Sequence, residues 1–431
     1  MKKLALAFIT LAAAASSQAV DLKSVFEQAV SNDPQLAAEL AGANANGQSA
    51  ALALGGILPQ IGFAAETGDT KLEGTSNDGT TTKTTYGVSL TQPLLAPSAW
   101  YEYGAASAIT ESAQFELRKA EQSLVVRLSE DYFDVLRANS TLASAKANEA
   151  AVRRQLEQTQ QRFKVGLIAI TEVHEAQAVY DGATVELIVA ESQLDIAYET
   201  LAVLTGERYD RINPLKEDIP LLGPVPADRA HWEQKALAQN LDVLIAQKTQ
   251  LGAQRSHKAK VSAHSPTIDL VANYGKSEDD GGFNPGKEVT STYVGVKLEV
   301  ALFAGGSQWA GQKQAYYQRQ AAERGLESAQ RIASLTVRAQ YRQLEADMAR
   351  IRARKQAMTS AKSAMEATQT GYEVGTRNIV EVLKAQQSVF SAQKDYAFSR
   401  YDYVVDMLKF RQAVGELSMA DIEEVNGWLL N

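Results

Sequence analysis

The stretch RFKVGLIAITEVHEAQ, Arg162 to Gln177, returns 209 residues later as GYEVGTRNIVEVLKAQ, Gly371 to Gln386. Val165, Gly166, Ile170, Glu172, Val173, Ala176 and Gln177 recur as Val374, Gly375, Ile379, Glu381, Val382, Ala385 and Gln386. At the same offset Leu128, Val135, Leu142, Leu156 and Phe163 answer to Val337, Leu344, Ile351, Met365 and Tyr372. A period this long is too large for a solenoid repeat, so each half carries one copy of a whole structural unit.

That unit is a long helical hairpin. The ten prolines leave residues 98–213 and 286–431 free of the strongest helix breaker. The spacing predicts a long helix over 98–165, about 100 Å at 1.5 Å per residue, far beyond one globular domain. Its apolar positions Leu128, Val135, Leu142, Leu156 and Phe163 keep a seven-residue spacing broken only at Glu149, which implies supercoiling against a neighbour. The neighbour is a return helix, 170–205, with Val173, Tyr180, Leu187, Leu194 and Leu201 in the same spacing. The second half repeats the plan over 307–374 and 378–415, with Val337, Leu344, Ile351, Met358, Met365 and Tyr372, then Val382, Val389, Tyr396, Tyr403 and Phe410. Two coiled-coil hairpins packing only on themselves would satisfy this pattern as well.

Strand signals precede each long helix. Val294, Val296, Leu298, Val300 and Leu302 alternate with Gly295, Lys297, Glu299 and Ala301, so one face is apolar. Four strands are predicted, about 61–72, 84–95, 266–276 and 291–303, joined in pairs by polar connections (71–83 and 277–289) suited to the outer loops of a bacterial barrel. Trp100 and Trp309, near the helix starts, fit either an interfacial aromatic belt or a packed junction. Four strands cannot close a barrel, since roughly eight or more are needed and an open edge in lipid leaves backbone groups unpaired. Several chains must therefore share one. Two chains would give an interior filled by side chains, whereas three begin to leave a lumen.

Residues 1–19, with Lys2 and Lys3, an apolar run and small residues at Ser17 and Ala19, describe a cleavable secretory signal. Removing those two lysines from the 43 basic residues leaves 41 against 51 acidic ones, a poor balance for nucleic acid. No constellation suggests catalysis, a metal or a cofactor: the four histidines lack ligand spacing and there is no cysteine. Gly275, Lys276 and Ser277 echo the end of a phosphate loop, but Leu270 stands where its first glycine should be.

With strands, helices and duplicated turn in place, the chain resembles the TolC family of outer-membrane efflux and secretion channels along essentially its whole mature length. The resemblance implies an α+β membrane protein with an internal two-fold repeat, working as a homotrimer. Its four strands per chain would join a shared 12-stranded outer-membrane β-barrel, and its long coiled-coil helices would form a periplasmic α-barrel. The expected layout is signal peptide 1–19, first repeat 20–215, equatorial linker 206–230, second repeat 228–417 and C-terminal equatorial segment 416–431. Partners implied are outer-membrane lipid, a periplasmic adaptor, and an inner-membrane pump or ABC transporter, with no nucleic acid. The function implied is passive exit for tripartite efflux or type I protein secretion; a periplasmic coiled-coil adaptor without its own pore is the alternative, disfavoured by the duplicated hairpin and the strands.

The family's site residues carry over by position. Arg377 and Tyr372 match a basic and an aromatic residue that tie the inner hairpin to the outer one, with Glu172 and Thr171 where their partners lie. The constriction, lined in the family by two acidic residues one helical turn apart, maps onto Glu381 and Lys384; only the first is acidic, which departs from the family's cation-preferring pattern. Val165, Gly166, Leu167 and Val374, Gly375, Thr376 match the tips that meet the adaptor, although the helix-ending role of glycine would account for both glycines alone.

Overall fold

A computed structural model describes residues 19–74, 79–280 and 286–430. The expected signal peptide lies outside the described residues but for Ala19, as do the tips of both strand connections. The chain divides into two compact units, each assembled from both repeats: residues 39–119 with 241–332, and residues up to 38 with 120–240 and 333–431.

The first of these holds one antiparallel sheet, ordered β1 (Gln60–Leu72), β2 (Gly79–Leu95), β3 (Thr267–Asp280) and β4 (Lys287–Glu299). Each repeat supplies one hairpin, and β2 pairs with β3 to join them. The register aligns the apolar residues of all four strands. Ile61 and Phe63 stand opposite Leu90 and Val88, these opposite Ala272 and Tyr274, and Ala272, Leu270 and Ile268 opposite Val294, Val296 and Leu298. On the other face Glu66, Thr85 and Ser277 form a row, as do Ser89 and Asn273. The apolar face is uncovered: Ile61, Phe63, Val294, Val296 and Leu298 are each more than 60% exposed.

Four strand limits differ from the sequence expectation: β3 runs on to Asp280, past residue 276, β4 begins at Lys287, before residue 291, and two further limits have an evident cause. β2 begins at Gly79, not near residue 84, because the threonine-rich run that reads as loop is β-branched and pairs across the ladder, with Thr82 Oγ1 donating to Asp69 at 2.6 Å and Thr67 and Thr84 hydroxyls 3.0 Å apart. β4 ends at Glu299 although its alternation runs on to Leu302. Its partner there is Thr267, the first residue of β3, preceded by Pro266, which has no N–H to extend the ladder. Trp100 and Trp309 are more than half exposed, so neither packs a junction within the chain; Lys313 Nζ lies 5.0 Å above the Trp309 ring.

The second unit is built on four long helices, to which α4 (Pro97–Lys164), α5 (Ile170–Thr205), α8 (Ser307–Glu373) and α9 (Ile379–Val414) contribute. The remaining helices are α1 (Leu22–Asn32), α2 (Pro34–Gly47), α3 (Ser49–Leu54), α6 (Arg229–Gln239), α7 (Leu241–Ser262) and α10 (Met419–Asn426). On α9 the seven-residue series Val382, Val389, Tyr396, Tyr403 and Phe410 is buried throughout, and on α8 the series is buried from Val337 to Ile351. Glu149, the break in the α4 series, is itself buried, its carboxylate 3.3 Å from Arg153.

On α5 the seam differs from the one its bulky residues predict. Ala176, Ala183 and Ala190 are buried, while Val173, Tyr180 and Leu187, three residues before each, are half-buried. Small side chains let helices approach closely, so the alanines take the contact line and push Val185, Ile188, Val189, Ile196 and Val203 into solvent.

The proline-rich stretch after α5 is strapped to the helices by hydrogen bonds to its backbone. Tyr132 Oη donates to Asn213 O at 2.8 Å, Arg400 Nη1 donates to the carbonyls of Lys216 and Glu217, and Tyr403 Oη accepts from Leu222 N at 2.8 Å. Val20 and Leu429 add β-bridges to Ile212 and Leu215.

Between α8 and α9 the fully buried Asp347 carboxyl faces Asp406 and Asp402, with Arg350 Nη2 3.0 Å from Asp347 Oδ1 and Arg350 Nη1 3.6 Å from Asp402; Arg137 of α4 also pairs with Asp402. Desolvation, then the Asp406 carboxyl, pushes the Asp347 pKa up from 3.8 to about 7; burial, then Asp134 and Glu130, pushes Asp131 to about 6. Both groups hold their protons more tightly in the folded than in the unfolded chain. Their contribution to stability is therefore complete below about pH 4, declines as the pH rises through the interval, and is gone above about pH 7. Asp347→Asn should flatten the fall of the thermal midpoint across that interval; an unaltered slope would show that Asp347 is ionised throughout.

Candidate functional site at the paired hairpin turns

Both hairpins end in the same backbone device. Gly166 adopts φ +77° and Gly375 φ +78°. At the first turn Gly166 N donates to Phe163 O (2.9 Å) and Leu167 N to Arg162 O (3.0 Å); at the second, Gly375 N donates to Tyr372 O (3.1 Å) and Thr376 N to Gly371 O (2.8 Å). These paired bonds satisfy the last carbonyls of α4 and α8 and turn the chain sharply. A Cβ at either glycine would meet nothing within 4 Å, so left-handed geometry alone demands glycine here. The turn places apolar side chains outermost: Val165, Leu167 and Val374 are at least 70% exposed, and Thr376 is exposed with its hydroxyl donating to Gly371 O.

Beyond the turns the copies diverge. Ala169 gives α5 no side-chain cap, whereas Asn378 Oδ1 accepts from Glu381 N at 2.9 Å and caps α9. Arg377, in the turn just before α9 and with no charged counterpart in the first copy, donates from Nη1 to Glu381 Oε2 at 2.6 Å, in the first turn of that helix. The resemblance pairs Arg377 with Glu172 and Thr171; within one chain it pairs with Glu381, and among the described residues Glu172 forms no ion pair. Glu172 is half-buried and Thr171 exposed. Of the two constriction residues, Glu381 is half-buried under Arg377, and Lys384 is exposed on the next turn of α9.

Two contacts join the hairpins near the tips. The Arg162 guanidinium lies 4.8 Å above the ring of Tyr372. Higher up, Ile379, Val382 and Leu383 of α9 form a buried cluster with Val152 of α4, rimmed by Tyr180 and Tyr372. Tyr372 thus touches the other hairpin, with Arg162 as its cationic neighbour. Sequence reasoning missed Arg162 and Val152, because pairing between hairpins leaves no periodic trace. The only signal was that Arg162 opens the first copy of the duplicated phrase where the second copy has Gly371. No group of His, Cys, Asp and Glu among the described residues could hold a metal ion.

A family model described as outer membrane efflux protein matches residues 25–207 and 232–416, one segment per repeat. The chain belongs to this family. It is 36% identical to the outer membrane protein TolC of Vibrio cholerae over 100% of this chain and 99% of that one. It is 28% identical to the alkaline protease secretion protein AprF of Pseudomonas aeruginosa, covering 94% and 87%. Among solved structures, the Campylobacter jejuni CmeC outer membrane channel superposes with a TM-score of 0.80 over 95% of this chain and 90% of that one, at 16% identity. As a member of the outer membrane efflux protein family the chain is a non-enzymatic outer-membrane channel protein, and the adaptor alternative falls.

Because the two turn glycines are required by backbone geometry and not by crowding, Gly166→Ala and Gly375→Ala should each cost about 1 kcal/mol. Thermal or denaturant unfolding checks this; a loss at one turn only would mean that the two turns are not equivalent.

Proposed function

We propose that three copies of the chain form a channel that gives passive exit across the outer membrane to substrates of tripartite efflux pumps, type I protein secretion, or both. The carrying observation is the four-stranded sheet, apolar on one face and polar on the other, with β1 and β4 unpaired along their outer edges. In lipid those edges must find partners, and strands of other copies supply them. Three copies of four strands make twelve, enough for a lumen lined by the polar face. The exposed row Val185, Ile188, Val189, Ile196 and Val203 of α5 is suited to the same assembly, with the long helices of neighbouring copies enclosing a periplasmic passage.

The hairpin turns serve as the periplasmic gate. Val165, Gly166, Leu167, Val374, Gly375 and Thr376 meet a periplasmic adaptor, whose docking, with an inner-membrane pump or ABC transporter, opens the tip. The similarity to AprF, named for alkaline protease secretion, supports protein cargo; the similarity to TolC and to the CmeC channel supports the channel itself. Thr171, Glu172, Tyr372 and Arg377 form links that break on opening. Three Glu381 and three Lys384 residues ring the constriction. Since Arg377 already offsets Glu381 in each chain, the ring's free charge is that of Lys384, and cation preference is weak.

Single-channel recording in planar bilayers tests both parts. Lys384→Asp should move the reversal potential in a salt gradient toward cation selectivity, and an unchanged value would remove Lys384 from the pore. On gels, unheated protein in detergent should run as a trimer that heat converts to monomer; a monomer without heating, lacking conductance, would end the proposal.

A further inference from the structure

The fold treats the two copies of the tip phrase in opposite ways. Ile379, Val382 and Leu383 are 1, 3 and 5% exposed. Their equivalents 209 residues earlier are Ile170, 44% exposed, Val173, half-buried, and His174, exposed. Local sequence does not account for this, because two of the three positions carry the same residue.

What differs is the surroundings. Val152 of α4, 2% exposed, covers the α9 residues, with Tyr180 of α5 and Tyr372 of α8 on the rim, so all four long helices contribute to one small apolar cluster. The residue equivalent to Val152 in the second copy is Ala361, too short to cover α5 in return. Below the cluster Arg162 lies over Tyr372, and its equivalent is Gly371. There a Cβ would come within 2.7 Å of Arg377 Cγ, so the glycine makes room for Arg377 to fold back toward Glu381. Substitutions at three places in the duplicated unit all favour tucking the start of α9 in and leaving the start of α5 out.

An ion pair inside one hairpin, such as Arg377–Glu381, cannot fasten one hairpin to another. Near the tips of a single chain the contacts that do cross are the apolar cluster and the Arg162–Tyr372 stack. We propose that this cluster is the latch of the closed state: Val152 holds Ile379, Val382 and Leu383, Arg162 closes its lower end over Tyr372, and opening consists of withdrawing the start of α9 from it. The inference rests on the tips being the gate. Unlike charge links at the tip, an apolar latch is barely weakened by salt.

The duplication supplies its own control. Closed-state conductance of purified protein in planar bilayers is compared for wild type, Val382→Ala, its repeat twin Val173→Ala, and Arg162→Ala. Val382→Ala should raise conductance severalfold, Arg162→Ala less, and Val173→Ala should match wild type. Equal effects of the twin substitutions, or none from Val382→Ala, would overturn the latch. A wild type that forms no channel would instead sink the channel proposal. Hydrogen exchange of the assembled wild type gives a second measure that needs no variant: the amides of Val382 and Leu383 should exchange more slowly than those of Val173 and His174, and equal rates would also overturn it.

Discussion

Everything in this chain follows from the unmet hydrogen bonds along two strand edges. β1 and β4 each present thirteen residues of backbone with no partner on the outer side. In water such edges are a hazard; in hydrocarbon each unpaired group costs several kcal/mol. The apolar face suits an apolar surrounding, since Ile61, Phe63, Val294, Val296 and Leu298 are aligned by register and exposed within the chain. A sheet with this face and these edges is a fraction of a closed wall. The duplication provides it economically, one hairpin per copy.

The same duplication explains why the two ends of the hairpins can do different work. Gly166 and Gly375 keep the same conformation and nearly the same hydrogen bonds. Around that fixed turn, a handful of replacements reverses which helix start is buried. Val152 against Ala361, Arg162 against Gly371, and Arg377 where the first copy has Ile168 are changes at single positions, and all lie where the start of α9 is covered within the chain and the start of α5 is not.

How much of this could be read from the amino-acid order depends on the kind of contact. The α9 seam was legible because its members, Val382 through Phe410, are large and evenly spaced. The α5 seam was not, because Ala176, Ala183 and Ala190 stand in a chain rich in alanine, and counting bulky residues selects the neighbouring stripe instead. The alternation of β4 was plain, but its end was set by Pro266, just before the neighbouring strand. At the tips the turn glycines announced themselves, whereas the Arg162–Tyr372 contact joins helices from different repeats and depends on how the hairpins pack. The pairing of Arg377 with Glu381 four residues on was within reach of the four-residue rule, whereas the family resemblance points to Glu172.

The strap formed by residues after α5 has a consequence for how the molecule meets its surroundings. Its fastenings at Asn213 and Leu222 are phenol-to-backbone bonds from Tyr132 and Tyr403, carrying no net charge at either end. Bonds of that kind register little change in dissolved ions. Between those two points the strap is held by charged groups, Arg400 on the carbonyls of Lys216 and Glu217 and Lys355 on Asp218, so ionic strength bears on its middle and leaves its two phenol-held ends in place.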